Sequence, residues 1–230
     1  DIGAGRTSVY LEAAGLATST ISDRPVFGCH IGPFSLTGRL CDMNSIFMKL
    51  LTDPVTVHIV LEKSTRFLTD YARAYKAAGV QGIVIAEPAA GLISPAHCDE
   101  FSSRYVKQIV DAVQDENFMV VLHNCGNTMK LIPSMLSTNA QGFHFGNVVN
   151  MLDILPQMPD TILAFGNIDP ATTFRHGTAD DVKTKTRDLL ESTEDYRNFV
   201  LSSGCDIPPG TPLENIDAFF TALEEYVKKR

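Results

Sequence analysis

Three residues of this sequence have the types and spacing of a zinc site. They are His123 and Cys125, separated by one residue, and the distant Cys205. Zinc prefers imidazole and thiolate ligands, and three protein ligands leave a fourth tetrahedral position open for substrate. In an extended strand, residues i and i+2 point to the same face, so His123 and Cys125 can reach one ion. The pattern predicts zinc-assisted thiol chemistry.

A purely structural explanation of these residues stays open at this stage. Reduced cysteine is among the most buried residue types, and a histidine or cysteine at a strand end is often only packed. A His-x-Cys pair with one distant cysteine also arises by chance, so the motif alone is a hypothesis. The other three cysteines show no ligand spacing with one another: Cys29, Cys41 and Cys98.

Glu87 is the predicted catalytic residue. It ends a predicted strand and is followed at once by proline. Its carboxylate could be a displaceable fourth zinc ligand or could accept a proton from the substrate. Hydrogen bonding to loop amides is the structural alternative.

Four further polar residues at predicted strand ends are assigned to substrate binding: His30, His144, Asn167 and Asp169. The apolar neighbours of His144 favour a histidine satisfied within the core. Asn167 and Asp169 come just before Pro170, so turn and cap chemistry would explain them equally. Their position at the end of a strand favours contact with a substrate.

Short apolar runs that predict β-strands alternate with amphipathic stretches that predict α-helices. The strands are predicted at Pro25–Cys29, Gly82–Ala86, Phe118–Leu122, Gly142–Phe145, Thr161–Phe165 and Phe199–Ser202. The main helices are predicted at Asp53–Ala78, Pro95–Val113, Thr178–Leu190 and Asn215–Val227.

The order of these elements predicts an α/β fold with a parallel sheet, because the strands read as apolar on both faces. A glycine-rich dinucleotide fingerprint is not found after the first predicted strand, where Pro33 follows Gly32. Polar residues instead gather at the C-terminal ends of the strands, as at the active-site rim of a barrel. We predict a TIM-like (β/α)8 barrel, here lacking the N-terminal strands, that forms a single domain over residues 1–230.

Composition narrows the class of partner. A net charge of −8 argues against nucleic-acid and anionic-membrane surfaces, which need clustered Lys and Arg. No apolar run approaches the roughly 18–20 residues of a transmembrane helix, and the sequence opens without a signal-peptide pattern. Five cysteines at irregular spacings do not form a secreted disulfide framework, so a cytoplasmic protein is predicted.

Six short segments of the sequence form a recognisable set of motifs: Gly32-Pro33-Phe34-Ser35-Leu36, Glu87-Pro88, Leu92-Ile93-Ser94-Pro95, His123-Asn124-Cys125-Gly126, Gly166-Asn167-Ile168-Asp169-Pro170 and Ser203-Gly204-Cys205-Asp206. In these motifs the sequence resembles the C-terminal two-thirds of the uroporphyrinogen decarboxylase superfamily. Within it, the resemblance is to the methylcobamide:coenzyme M methyltransferases and related corrinoid-dependent methyltransferases, because the His-x-Cys pair and the late cysteine separate this branch from the decarboxylases.

The resemblance implies a zinc-dependent methyltransferase with Zn²⁺ on His123, Cys125 and Cys205. It further implies that the methyl group comes from a corrinoid (cobalamin) carried by a partner corrinoid protein and goes to a small thiol such as coenzyme M. Two alternatives stay open. One is a lyase resembling uroporphyrinogen decarboxylase whose cysteines are incidental, and the other is a non-catalytic member that binds a corrinoid or a partner.

Overall fold

The structure of the chain is a computed structural model that describes residues 2–229. Six strands lie in this range: β1 (Phe27–Ile31), β2 (Gly82–Ala86), β3 (Met119–Asn124), β4 (Gly142–Phe145), β5 (Leu163–Ile168) and β6 (Phe199–Ser203). The α-helices are α1 (Thr7–Thr20), α2 (Pro33–Cys41), α3 (Met43–Thr52), α4 (Pro54–Ala77), α5 (Pro95–Cys98), α6 (Arg104–Val113), α7 (Ile132–Leu136), α8 (Met151–Ile154), α9 (Ala179–Ser192) and α10 (Leu213–Lys228).

The strands are hydrogen-bonded in the order in which they occur in the chain, from β1 to β6. β1 pairs with β2, β2 with β3, and β5 with β6, all in parallel. Parallel neighbours that follow one another in the chain, each joined by a helical crossover, are the pattern of a TIM-like α/β fold. The predicted fold class is confirmed, and β2 and β4 have the predicted bounds.

The chain contacts divide the structure into two compact units. The first comprises Asp1–Asn124 and Lys130–Gly142, and the second comprises Cys125–Met129 and Phe143–Arg230. The single barrel domain over residues 1–230 stays a prediction.

In the first unit, the helices that follow β1 share one buried core. Phe34 of α2, Ile46 of α3 and Leu61 of α4 are almost fully buried and pack together with Phe101 and Tyr105. Asp53 caps helix α4 by accepting a hydrogen bond from the Thr56 amide, and Pro54 is in the first turn of this helix. Helices α1, α2 and α3 have no counterpart among the predicted elements.

In the second unit, α9 and α10 pack on the outer side of β5 and β6. Ile168, Phe174, Val182 and Phe219 form the buried core of this region. Helix α9 begins with a capping box. The Thr178 side chain accepts a hydrogen bond from the Asp181 backbone amide, and the Asp181 side chain accepts one from the Thr178 backbone amide. Within the described part of the chain, every helix is too short or too polar to span a lipid bilayer.

The two faces of β1 have different surroundings. A Cβ atom added to Gly28 would lie 2.6 Å from the ring of Tyr75, so this face of the strand packs directly against α4. His30 is two residues further along and therefore points to the same side. Cys29 points to the opposite side and is exposed.

We expect Gly28→Ala to destabilise the chain by about 1–3 kcal/mol, because the added methyl group overpacks the strand against the Tyr75 ring. Gly15→Ala is the matched control in the same unit. Gly15 lies inside α1 with its nearest non-local atom 3.8 Å from an added Cβ, so alanine should stabilise the helix by up to about 1 kcal/mol. Urea unfolding of both variants measures the two effects, and equal unfolding midpoints would contradict the packing described for β1.

Candidate metal centre

The predicted ligands follow two different strands. His123 is the second-last residue of β3. It pairs with Ala86 of β2, and its side chain is buried. Cys125 is the first residue of the loop that follows β3, and Cys205 is the second residue of the loop that follows β6. Both cysteines are half-buried.

One nitrogen of His123 and the Sγ atoms of Cys125 and Cys205 lie within 4.8 Å of one another. Among residues 2–229, no other group of three histidine, cysteine or acidic side chains is gathered in this way. Ligands of a tetrahedral zinc ion stand roughly 3.5–4 Å apart, given Zn–S and Zn–N bonds of about 2.3 and 2.0 Å. Small side-chain rotations would therefore close the set, and its two thiols and one imidazole are donors that zinc prefers.

The two cysteines influence each other electrostatically. Burial raises the pKa of the Cys125 thiol, and the neighbouring Cys205 sulfur raises that pKa further because two thiolates repel each other. A divalent cation removes this repulsion and favours the deprotonated form of both thiols. The pair is therefore arranged to hold a soft cation.

His144, at the third position of β4, is already hydrogen-bonded. Its Nε2 atom lies 2.6 Å from the carbonyl oxygen of Ser203 and 3.4 Å from the Ser202 hydroxyl. The Ser203 hydroxyl in turn donates to the carbonyl oxygen of Cys205 at 2.8 Å. Burial lowers the pKa of His144, so the neutral ring is favoured. These contacts support the loop that carries Cys205, and substrate binding by His144 stays a prediction.

Asn167 and Asp169 also contact the backbone. The Asn167 side-chain amide donates to the carbonyl oxygens of Gly146 and Val149. One carboxylate oxygen of Asp169 accepts from the amides of Ala171 and Thr172, and the other accepts from the Asn147 side chain at 3.0 Å. Turn and cap chemistry, the alternative named above, thus accounts for these contacts. Their role in substrate binding stays a prediction.

Glu87 joins the start of α2 to the end of β3. Its side chain is 1% exposed, and its two carboxylate oxygens accept hydrogen bonds from the amides of Phe34 at 2.9 Å and Ser35 at 2.6 Å. Its backbone amide donates to the carbonyl oxygen of His123, and the Asn124 side chain donates to its carbonyl oxygen, both at 2.8 Å. A Cβ on Gly32 would collide with the carboxylate. The backbone amides at the N-terminus of α2 favour the ionised form of the Glu87 carboxyl group.

Burial nevertheless raises the pKa of Glu87 to about 7, and the hydrogen bonds from Ser35 and Phe34 oppose this rise only in part. A buried carboxyl group that titrates near neutral pH is suited to accept a proton. The backbone hydrogen bonds to both of its oxygens are instead typical of a structural role. The catalytic role of Glu87 stays a prediction.

His30 is the fourth of the five residues of β1, so it lies near the predicted strand end, but its ring points toward α4. Its ring is buried on the α4 side of β1, with its centroid 6.1 Å from that of Tyr71. Its Nδ1 atom lies 2.8 Å from the carbonyl oxygen of Ile31, and burial lowers its pKa to about 4. These contacts are those of a core histidine, and substrate binding by His30 stays a prediction.

Sequence reasoning missed Asn124 and Gly146, which lie near the cysteines. Asn124 lies between two predicted ligands in the sequence and is buried, with 3% of its surface exposed. Gly146 and Gly204 leave no room for a side chain, because an added Cβ would lie 2.4 Å from the Cys125 carbonyl oxygen and 2.6 Å from the Asn147 amide nitrogen, respectively. A glycine directly after a predicted strand was the available signal, since such a glycine often marks a close backbone approach.

We expect Glu87 to make stability depend on pH. Because its pKa rises from an ordinary value of 4.5 to about 7 on folding, its contribution is fully present below pH 4.5 and is lost as the pH rises through 7. The loss should reach about 3 kcal/mol. Glu87→Gln should unfold more easily at pH 5, by about 1–3 kcal/mol, because the NH2 group of glutamine would face one of the two backbone amides that now donate to the carboxyl oxygens.

Urea unfolding at pH 5 and pH 8 measures both effects, and the stability gap between wild type and Glu87→Gln should narrow at pH 8. Glu191→Gln, on the exposed surface of α9, controls for the loss of one carboxylate. A gap that is the same at both pH values would show that Glu87 does not take up a proton on folding.

Comparison with known proteins agrees with the predicted resemblance. Methylcobamide:CoM methyltransferase MtbA of Methanosarcina acetivorans is 29% identical over 225 residues, which are 96% of this chain and 65% of that protein. Uroporphyrinogen decarboxylase of Pseudoalteromonas translucida is 26% identical over 214 residues, which are 89% of this chain and 60% of that protein. Both kinds of relative are enzymes, and the chain spans less than two-thirds of the length of either.

A solved structure described as a methyltransferase from Methanosarcina mazei superposes with a TM-score of 0.87 at 27% identity. The superposition covers 97% of this chain and 65% of that one. The sequence profile of the uroporphyrinogen decarboxylase (URO-D) family matches residues 1–226. The chain therefore belongs to the uroporphyrinogen decarboxylase (URO-D) family.

Proposed function

We propose that this protein is a zinc-dependent methyltransferase that moves a methyl group from a methylated corrinoid protein to a small thiol such as coenzyme M. The observation that carries the proposal is the gathering of one imidazole and two thiols, from His123, Cys125 and Cys205, within 4.8 Å. In this proposal those three residues hold the zinc ion, and the corrinoid protein is the partner.

The donor set fits alkyl transfer to sulfur. A free thiol titrates near pH 8.5 and is mostly protonated at neutral pH. Zinc on these residues would supply the positive charge that keeps a substrate thiol deprotonated. Cys125 and Cys205 as thiolates offset the charge of a divalent cation, so the electron density of the substrate sulfur is not strongly withdrawn. Sites that activate water use more histidine or carboxylate ligands instead.

The chain's other residues have defined parts in this proposal. His123 and Cys125 are presented by the end of β3, which is fixed by the Glu87 backbone amide. Cys205 is presented by a loop that Ser203 and His144 stabilise through hydrogen bonds. Two reduced thiols at the site require a reducing compartment, so we place the protein in the cytoplasm.

The names of the relatives support the substrates in this proposal. Methylcobamide and coenzyme M (CoM) are both named for the MtbA relative. The competing proposal, a decarboxylase without metal, has the support of the decarboxylase relative, which is nearly as similar in sequence. The gathered thiols favour the methyltransferase, because decarboxylation of this kind has no use for two neighbouring cysteines.

We expect the purified protein to contain about one zinc per chain and to demethylate methylcobalamin when a thiol is supplied. Cys205→Ser and His123→Ala each remove a ligand and should lose both zinc and demethylation, with rates at least 100-fold lower. Cys41→Ser, which replaces a cysteine at the end of α2 outside the group, should keep both. Elemental analysis and the absorbance change of methylcobalamin measure these outcomes.

Three results would decide against the proposal in different ways. A wild-type chain that folds without zinc and decarboxylates a porphyrinogen would favour the lyase. Retained zinc without methyl transfer to any thiol would favour a binding protein. Loss of zinc in Cys41→Ser, with retention in Cys205→Ser, would mean that the ligands are misassigned.

A further inference from the structure

We infer that the turn at residues 146–149, held by Asn167 and Asp169, sets the spacing between the sulfur atoms of Cys125 and Cys205. This inference rests on the proposed function, because it gives positioning roles toward the metal to residues that were expected to bind substrate. The turn is closed by a hydrogen bond from the Val149 amide to the Gly146 carbonyl at 3.4 Å. We call it the 146–149 turn.

The first contact of the turn is with the backbone of Cys125. A Cβ on Gly146 would lie 2.4 Å from the carbonyl oxygen and 2.6 Å from the Cα of Cys125. Real Cβ atoms do not approach other atoms this closely, so only glycine allows this contact without a shift. The main chain of the first cysteine ligand therefore rests directly on Gly146.

The second contact is with the loop that carries Cys205. A Cβ on Gly204 would lie 2.6 Å from the backbone nitrogen of Asn147. Gly204 is buried and immediately precedes Cys205 in the chain. The turn thus lies between the main chain at Cys125 and the main chain at Gly204, and neither glycine has a side chain that would separate the two backbones.

Asn167 holds this turn from β5. Its Nδ2 group donates to the carbonyl oxygen of Gly146 at 2.9 Å and to that of Val149 at 2.6 Å. Both acceptors belong to buried residues. An amide nitrogen with two hydrogen atoms is the group that can satisfy both carbonyls at once, and each bond left unmade in a buried site is costly.

Asp169 holds the same turn from its exposed side. Its carboxylate accepts a hydrogen bond from the Asn147 side chain at 3.0 Å. Its other oxygen accepts from the amides of Ala171 and Thr172, so the carboxylate is fixed at the start of the following helical segment. Asn167 and Asp169 are therefore positioning residues, two positions apart on one strand end, that act on the sulfurs through the turn.

The arrangement matters because a metal ligand must be placed to within fractions of an ångström. The loops that carry Cys125 and Cys205 both contact the 146–149 turn. The turn supplies that constraint through backbone contact, and outer-shell partners of this kind typically change metal affinity by 10–100-fold when they are replaced.

The glycine contact is tested by Gly146→Ala against Gly177→Ala. Both added methyl groups would collide with a carbonyl oxygen in the same unit, at 2.4 Å for Gly146 and 2.5 Å for Gly177, which meets Thr173. Only the first collision involves a cysteine loop. We expect Gly146→Ala to weaken zinc binding 10–100-fold and Gly177→Ala to leave it within about threefold.

The asparagine is tested by Asn167→Asp against Asn198→Asp. Asn198 precedes β6, and its side-chain amide also donates to two carbonyl oxygens, of Pro159 at 3.2 Å and Ile162 at 3.0 Å. Aspartate at either position sets a carboxylate oxygen against two carbonyl oxygens. We expect similar losses of thermal stability but a 10–100-fold weaker zinc affinity in Asn167→Asp alone.

Zinc affinity is measured by competition with a chromophoric chelator, and cobalt(II) spectra report the ligand geometry. A second readout needs no metal. Phenylarsine oxide, a trivalent arsenical, bridges two neighbouring thiols, so the metal-free wild type should bind it through Cys125 and Cys205 and Cys125→Ser should not. Gly146→Ala and Asn167→Asp should bind it at least tenfold more weakly, because their sulfurs are displaced.

The inference is overturned if Asn167→Asp and Gly146→Ala match their controls in both readouts, or if the controls lose affinity equally. If wild type binds no zinc, the proposed function fails. The arsenical measurement then decides separately whether the 146–149 turn spaces the two sulfurs. Asn147→Ala, an exposed change that removes only the bond to Asp169, should give an intermediate effect and is expected to fold where the others do not.

Discussion

Close backbone contact, without intervening side chains, is the constraint on which the candidate centre depends. The loop after β3 and the loop after β6 can both touch the 146–149 turn only because residues 146 and 204 are glycines. Such contacts are stiff, since a packed backbone has no rotamer through which to adjust. Stiffness is useful to a metal site, because two cysteines whose separation increases can no longer bind the same ion. The glycines therefore contribute to the chemistry without carrying a functional group.

A second constraint operates on the histidine side of the centre. Glu87 accepts hydrogen bonds from the first amides of α2 through its side chain and bonds His123 and Asn124 through its backbone. One residue thus ties a helix N-terminus to the strand that presents an imidazole. The arrangement places an acidic group in a fully buried site, where burial and hydrogen bonding act in opposite directions on its pKa. A carboxylate in such a balance is sensitive to small changes in its surroundings.

The polar residues at the strand ends divide into two groups. His123, Cys125 and Cys205 offer ligand atoms to a common centre. His144, Asn167 and Asp169 use their side chains on the backbone of neighbouring loops. Both groups occupy the same kind of position, because the carboxyl ends of parallel strands carry the loops that need support as well as the groups that perform chemistry. Position along a strand alone cannot separate the two.

The sequence by itself determined the parallel α/β fold, the strand positions to within a few residues and the identity of the three candidate ligands. Apolar runs bounded by turns specify strands, and a His-x-Cys pair places two donors on one face of an extended chain. Only the tertiary structure decided that Cys205 reaches that pair, that His30 packs toward α4, and that Asn167 holds a turn. These facts depend on which residues distant in the chain become neighbours, and local periodicity carries no information about such pairs.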